Sequence, residues 1–325
     1  MFAGLKNANS KMWLGCWSFG GGEVWGNQSL EDSQEVVRTA LANGVVIFDT
    51  AELYNEGRSE ECLGNCLRGI RNKAIVATKA GPGNLSKSTL PRACERSLKR
   101  LRTDHLDLYQ IHWPDRSIPL AETFGALERL RAEGKILQYG VCNFGVQDIS
   151  AIGEIYKPLT NQVAYNLLFR AVEFGITNSC EASGLTLIAY SPLAQGLLTG
   201  KYRNADEVPQ SLSRTRLFSC ERKEAIHEED GAEFEIFSAL REIQALAETV
   251  GLSMEALAMQ WLLQKMKVGG VVVGARNSRQ IMLNLQAARA SVDGGVLESL
   301  TSITDPIKGK LGANADMWRT KSRIQ

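Results

Sequence analysis

Eight short apolar, β-rich runs punctuate the chain, at residues 12–15, 45–48, 74–78, 106–111, 136–141, 160–163, 186–190 and 270–273. No other regularity narrows the fold as far. From the second run to the seventh, successive starts lie 24 to 32 residues apart. That spacing holds one strand, one helix and two short loops, so each step reads as a βα unit. The intervening segments carry helix signals. Ser29 with Asp32 forms a possible capping box ahead of Val36, Val37, Ala40 and Leu41, and Gly44 stops the pattern. Ser88 opens a segment that places Leu90, Cys94, Leu98 and Leu101 on one face, with Pro91 tolerable in a first turn. Leu120, Phe124, Leu127 and Leu130 repeat that spacing up to Gly134, and Ser278 precedes Ile281, Leu285 and Ala288.

Eight such units predict one closed (β/α)8 TIM barrel rather than a doubly wound sheet, with residues 1–325 forming a single domain. The gap between the seventh and eighth runs is the exception. It holds a polar stretch, 201–231, followed by helical patterns over 234–250 and 253–267, and an insertion of that length in a barrel is more often functional than accidental.

Composition excludes several classes. Hydrophobic residues are 44% and charged residues 22%, which is ordinary for a globular chain and argues against disorder. The 37 Lys+Arg against 36 Asp+Glu leave +1, so no broad basic face for nucleic acid is expected. No run of about 18 apolar residues suggests a membrane span. The first residues show no secretory leader, and the seven cysteines form no CxxC pair. Cys62 and Cys66 lie four apart without a His or second pair to complete a zinc set, so reduced thiols, no metal and a cytoplasmic location are expected.

In a barrel the active site lies on the rim at the strand C-termini. Asp49, Lys79, His112, Asn143, Gln162, Ser191 and Gly274 fall at those ends, and Tyr54 lies on the second βα loop. Singly, Asp49 also fits a turn, Lys79 a solvated strand end and His112 a structural histidine; the argument is joint. A carboxylate, an ammonium, a phenol and an imidazole on one rim can manage proton transfer at a carbonyl. Tyrosine is a weak acid, with a pKa of about 10, but a nearby ammonium favours the phenolate and is expected to lower it. Lys79 would supply that charge, Asp49 would hold Lys79, and His112 would donate to the carbonyl oxygen. This set supplies no hydride, which must come from a cofactor.

The segments FDTAELYNEGRSEECLG, IVATKAG, LDLYQIHWPD, GVCNFG, AYSPLAQGLLTGKY and VVVGARNSRQIMLNL together resemble the aldo-keto reductase superfamily. The likeness is to the branch holding bacterial and fungal reductases and potassium-channel β-subunits, and it runs from about Trp13 to Leu285. The resemblance implies a tetrad of Asp49, Tyr54, Lys79 and His112, with Tyr54 as general acid and NADPH/NADP+ as cofactor. It implies that Gly15, Cys16, Trp17 and Asp49 approach the nicotinamide half, that Asn143 and Gln162 hold its carboxamide, and that Tyr190 stacks on its ring. Ser191, Leu193, Gln195, Gly196 and Lys201 would line the pyrophosphate, and Gly274, Arg276, Gln280 and Asn284 the adenosine half. Arg214 or Arg216 would reach the phosphates. Cys142 replaces a common Ser, and Leu283 replaces a Glu that contacts adenine in the family.

The dinucleotide fingerprint GxGxxG is absent: Gly20-Gly21-Gly22 continues as Glu23-Val24-Trp25, and Gly81-Pro82-Gly83 as Asn84-Leu85-Ser86. Trp25, Trp113 and Trp318 fall in loops expected near the rim, where they read either as ordinary packing or as an aromatic substrate wall. The expected function is NADPH-dependent reduction of a small-molecule aldehyde or ketone, with the substrate and oligomeric state left open. The rival readings are a cofactor-loaded regulatory protein of the channel β-subunit kind and a hydrolase with paired carboxylates; the second is weaker because Asp49 is the one acid among these strand-end residues.

Overall fold

The computed structural model describes residues 11–325. Its strands are β1 (Met12–Gly15), β2 (Ile47–Asp49), β3 (Ile75–Ala80), β4 (Leu106–Ile111), β5 (Ile136–Cys142), β6 (Thr160–Ala164), β7 (Thr186–Tyr190) and β8 (Val268–Gly274). All neighbours are parallel and follow chain order, and β1 pairs with β8 to close the barrel. The reading of the first residues as lacking a leader falls on 1–10, outside the described residues. Among the described residues no helix is long and apolar enough to cross a membrane.

The helices follow their strands: α1 (Leu30–Ala42), α2 (Arg58–Cys66), α3 (Thr89–Leu101), α4 (Leu120–Ala132), α5 (Val146–Ile152) and α6 (Ile176–Ala182). After β7 come α7 (Glu233–Val250) and α8 (Met254–Leu263), and after β8 come α9 (Ser278–Arg289) and α10 (Gly294–Leu311). Ser29 caps α1 by accepting from the Asp32 N–H, and Val36, Val37 and Ala40 are buried on its inner face. Two caps differ from expectation. Ser88 makes no side-chain cap; Ser86 Oγ accepts the Thr89 N–H instead, 3.1 Å away. Asn277, not Ser278, caps α9 by accepting from the Gln280 N–H. The periodic pattern also leaves α10 unread. Asp293 caps it, and Leu300, Thr304, Ile307 and Leu311 bury its inner stripe against α7 and α8.

The barrel interior is built in tiers because alternate residues of each strand point inward. One tier is apolar: Trp13, Ile47, Ala77, Leu108, Ile188 and Val272 pack together. Trp13 is wide enough to need a gap opposite: a Cβ on Gly270 would sit 2.7 Å from its Nε1. Two residues further along the same strands, the side chains become Asp49, Lys79, Gln110 and Tyr190. That step of two carries the inner face from packing to chemistry. It also explains a displacement from the sequence reading: Lys79 and Gln162 lie inside β3 and β6 rather than beyond them.

Candidate active site

The inner polar tier centres on the Lys79 ammonium. Its Nζ donates to Asp49 Oδ2 at 2.5 Å, to the Thr50 carbonyl at 2.9 Å and to the Tyr54 hydroxyl oxygen at 3.2 Å. Three N–H donors thus have three acceptors, which fixes the head group in place. Asp49 is held in turn by Gln162 Nε2 at 2.8 Å and, more loosely, by Gln110 Nε2 at 3.5 Å. Gln110 is missing from the sequence-based set. Its signal is parity, since it lies two residues beyond Leu108 on the inward face of β4, and Thr160 donates to its Oε1 at 3.2 Å.

Asp49, Tyr54, Lys79 and His112 are brought together. The Tyr54 and His112 rings meet edge to face with centroids 5.6 Å apart. Burial is the largest influence on Tyr54 and raises its pKa to about 12, although Lys79 pulls it down. The expected net lowering is therefore corrected: the ammonium acts as expected, but desolvation of the phenolate, helped by the Asp49 charge, outweighs it. For Lys79, burial disfavours the charge, yet Asp49 and Tyr54 together raise its pKa. His112 is held well below its ordinary value, first by burial and then by the Lys79 and Arg323 charges, so its imidazole is neutral. Its Nδ1 has no partner among the described residues.

The rim aromatics close around this group. Trp17 stacks on Tyr54 with centroids 5.8 Å apart, and Trp25 meets Trp17 edge to face at 5.4 Å. Trp113 lies beneath the Arg323 guanidinium, and Trp318 beneath that of Arg214. Leu53, beside Tyr54, is 53% exposed and adds an apolar surface that the sequence reading does not single out.

The remaining positions form a rim with spare polar groups. Asn143 donates to the His112 carbonyl and accepts from the Tyr190 hydroxyl. The loop after β7 turns sharply: Ser191, Ala194, Gln195 and Gly196 all have positive φ, a conformation costly for side-chain-bearing residues. Within the turn the Ala194 N–H bonds the Ser191 carbonyl and the Gly196 N–H the Leu193 carbonyl, which holds the loop in this conformation from inside. Gln195 Nε2, Arg214 Nε and Arg276 Nε are buried without partners among the described residues. Lys201 is exposed, with its Nζ over the Tyr202 ring at 4.7 Å. Arg276 reaches from the β8–α9 turn to the Asn27 carbonyl at 2.8 Å, Gln280 accepts the Arg276 N–H, and Asn284 donates to the Gly274 carbonyl. These unpartnered donors fit a phosphate-bearing dinucleotide.

Two sequence-based candidates do not join this rim. Arg216 is fully buried, ion-paired to Glu229 and bonded to the carbonyls of Leu311, Asn314 and Asp316. Its donors are spent on holding the segment after α10, so Arg214 is the one left for a phosphate. Cys16 is buried, with its N–H on the Asp49 carbonyl and its own carbonyl taken by Ser59 Oγ at 2.6 Å. It has no exposed surface and no free backbone polar group. Leu283 is exposed on α9.

Residues 11–305 match the model of the Aldo/keto reductase family. Aldo-keto reductase YhdN of Bacillus subtilis is 32% identical over 285 residues, covering 84% of this chain and 83% of that protein. A probable voltage-gated potassium channel subunit beta of Arabidopsis thaliana is 30% identical, over 83% of this chain and 86% of that one. Among solved structures, an aldo-keto reductase of Klebsiella pneumoniae in complex with NADPH aligns over 90% of each chain, with a TM-score of 0.71 and 30% identity.

Proposed function

The chain belongs to the aldo/keto reductase family, and on that premise we propose that it reduces an aldehyde or ketone to the alcohol with NADPH, Tyr54 giving the proton. We read it as one barrel domain working in the cytoplasm. The observation that carries the reading is the single ammonium, Lys79 Nζ, shared by Asp49, the Thr50 carbonyl and Tyr54. Bound NADPH supplies the hydride. Gly15, Trp17, Asn143, Gln162 and Tyr190 are the residues for its nicotinamide half. Ser191, Leu193, Gln195, Gly196, Lys201 and Arg214 are those for the pyrophosphate. Gly274, Arg276, Gln280 and Asn284 are those for the adenosine half.

Tyr54, with its pKa near 12, keeps its proton at neutral pH and so is a donor rather than a base. As its proton leaves toward the substrate oxygen, the negative charge that develops on the phenol faces Lys79 Nζ at 3.2 Å. Lys79 cannot swing away, because its other two donors are tied to β2 and the residue after it. Neutral His112 can offer one N–H to the carbonyl oxygen without competing for the proton. Trp25, Trp113 and Leu53 give the substrate an apolar wall.

Tyr54→Phe tests the assignment. General acid catalysis is typically worth about 10²–10⁴-fold, so turnover should fall at least that far while NADPH still quenches tryptophan fluorescence. Near-wild-type turnover would overturn it. The likeness to a channel subunit favours one alternative, a regulatory protein that holds the same cofactor and turns over slowly. A kcat far below ordinary enzymatic values, of about 1 per second or more, with every carbonyl in a broad panel would favour that reading.

A further inference from the structure

Directly after Tyr54 the backbone turns left-handed. Asn55 and Glu56 have φ of +50° and +58°, and Gly57 follows at +90°. Only glycine enters that region freely, so two residues with side chains there need contacts that hold them. Asparagine tolerates it better than most, and Asn55 has such contacts. Its Nδ2 donates to the Trp17 carbonyl at 2.9 Å and to the Phe19 carbonyl at 3.0 Å, which uses both hydrogens of the amide. Its Oδ1 lies against Gly22, where an added Cβ would collide with it. The second βα loop thus grips the first through one side chain.

The residue it grips is the one that faces the phenol. Trp17 stacks on Tyr54 with 27° between the ring planes, and Trp25 meets Trp17 at 84°. Among the described residues the Tyr54 hydroxyl has one hydrogen-bond partner, Lys79 Nζ. One bond at the tip of a side chain leaves the ring free to swing, so its face and edge must be held by packing. His112 holds an edge and Trp17 a face. Asn55 is next to the phenol in sequence and behind its stacking partner in space.

We propose that Asn55 is a positioning residue for the reduction: its amide fixes the Trp17 ring against the Tyr54 ring, and so fixes the place of the Tyr54 hydroxyl beside Lys79 Nζ. This rests on the reading of Tyr54 as proton donor. The position calls for two donors on a short stem at a left-handed backbone, and asparagine meets both needs. An aspartate of the same shape would turn acceptors toward the two carbonyls.

The main test is Asn55→Gly in the full chain. Glycine relieves the backbone cost at φ +50° and removes the amide, so the clamp is lost while the turn is favoured. Three things are measured: single-turnover reduction of 4-nitrobenzaldehyde by NADPH, the pH dependence of 4-nitrobenzyl alcohol oxidation, and the exciton couplet of the Trp17–Trp25 pair in circular dichroism. Reduction should slow roughly 10–100-fold, because a misplacement of about 1 Å can cost that much. Oxidation should level off at a lower pH than in wild type, since a loosened ring readmits water to the phenolate, and the couplet should weaken. Asn55→Gly/Trp17→Ala should be no slower than Trp17→Ala alone, because the clamp acts through that ring.

A folded Asn55→Gly with wild-type rate and pH profile would overturn the proposal. So would fully additive losses in the double variant, or a slower reaction with an unchanged profile and couplet, which would mark a merely structural residue. Asn55→Asp decides the matter if the glycine variant does not fold. It should lose at least as much rate at pH 8 and regain part of it at pH 6, where protonation restores one donor; a wild-type rate at pH 8 would overturn the proposal. Wild-type turnover in Tyr54→Phe would sink the donor reading instead, and the couplet, which needs no turnover, would still decide whether Asn55 fixes Trp17.

Discussion

Replacing Lys79 by Met keeps most of the side-chain bulk, one atom shorter, and removes the charge facing Tyr54. The expected cost follows from the geometry. At 3.2 Å and an effective dielectric of about 20, a full ammonium–phenolate attraction is worth about 5 kcal/mol. At about 1.36 kcal/mol per decade, that corresponds to roughly 10³–10⁴-fold in the proton-transfer step. The single substitution has a side effect, since Asp49 is 2% exposed and would lose its cation. Removing one partner of a buried pair destabilises by about 3–5 kcal/mol. The companion Lys79→Met/Asp49→Asn therefore removes both charges and leaves the Gln162 and Gln110 amides facing a neutral oxygen. The assay is single-turnover loss of NADPH fluorescence with cofactor pre-bound, together with alcohol oxidation as a function of pH. With the Tyr54 pKa at about 12, the phenolate needed for oxidation grows tenfold per pH unit, so wild-type oxidation should climb from pH 7 to 10 while reduction stays flat. Both variants should show reduction slowed by at least about 10³-fold. A double variant that folds and stays within about tenfold of wild type would refute charge stabilisation by Lys79.

Two further outcomes follow from the same site. Arg276→Ala should weaken NADPH by roughly 10–150-fold and NADH little, because the cofactors differ by one phosphate and the Arg276 Nε is an unused donor beside the start of α9; equal losses by fluorescence titration would show that Arg276 does not read that phosphate. The His112 pKa is lowered, so the residue gains a proton only below its usual range, and kcat for reduction should show no inflection between pH 6 and 8; an inflection near 6.5 that disappears in His112→Gln would reverse that assignment.

The barrel was legible because its signal is repetitive. Six strands announced themselves by spacing alone, and the inward polar tier lies two residues beyond the apolar tier on the same strands. Asp49, Lys79 and His112 were thus readable as strand-end residues, although Lys79 proved to sit one residue inside its strand. Gln110 shares that parity and was passed over because it precedes the strand end. Segments whose partners are distant in sequence were not legible. The α10 stripe lies over α7 and α8, and the Arg216 bonds close across roughly 100 positions to a strap that has no periodicity. Arg214 and Arg216 look alike from sequence, two apart in a polar stretch. The fold separates them by sending one into an ion pair with Glu229 and leaving the other with a free Nε.

Tyr54 shows where sequence reasoning about charge reaches its end. The neighbours of its hydroxyl follow from the motif, and Lys79 does act on it with the expected sign. What no motif records is how much water remains at that point. Trp17 stacks on one side of the phenol, His112 meets its edge, and Trp25 meets Trp17 edge to face, so the ring sits in a half-buried aromatic slot. Partial desolvation in that slot penalises the phenolate more than the ammonium rescues it, and the balance moves from an activated phenol to a firmly protonated one. That balance suits a proton donor: the acid holds its proton until negative charge develops on the substrate oxygen. The ammonium then contributes most when the phenolate forms, because the same desolvation that raised the pKa strengthens the Lys79–Tyr54 attraction. Opening the slot with Trp17→Ala should therefore work against itself, lowering the Tyr54 pKa by readmitting water while weakening the attraction that stabilises the phenolate.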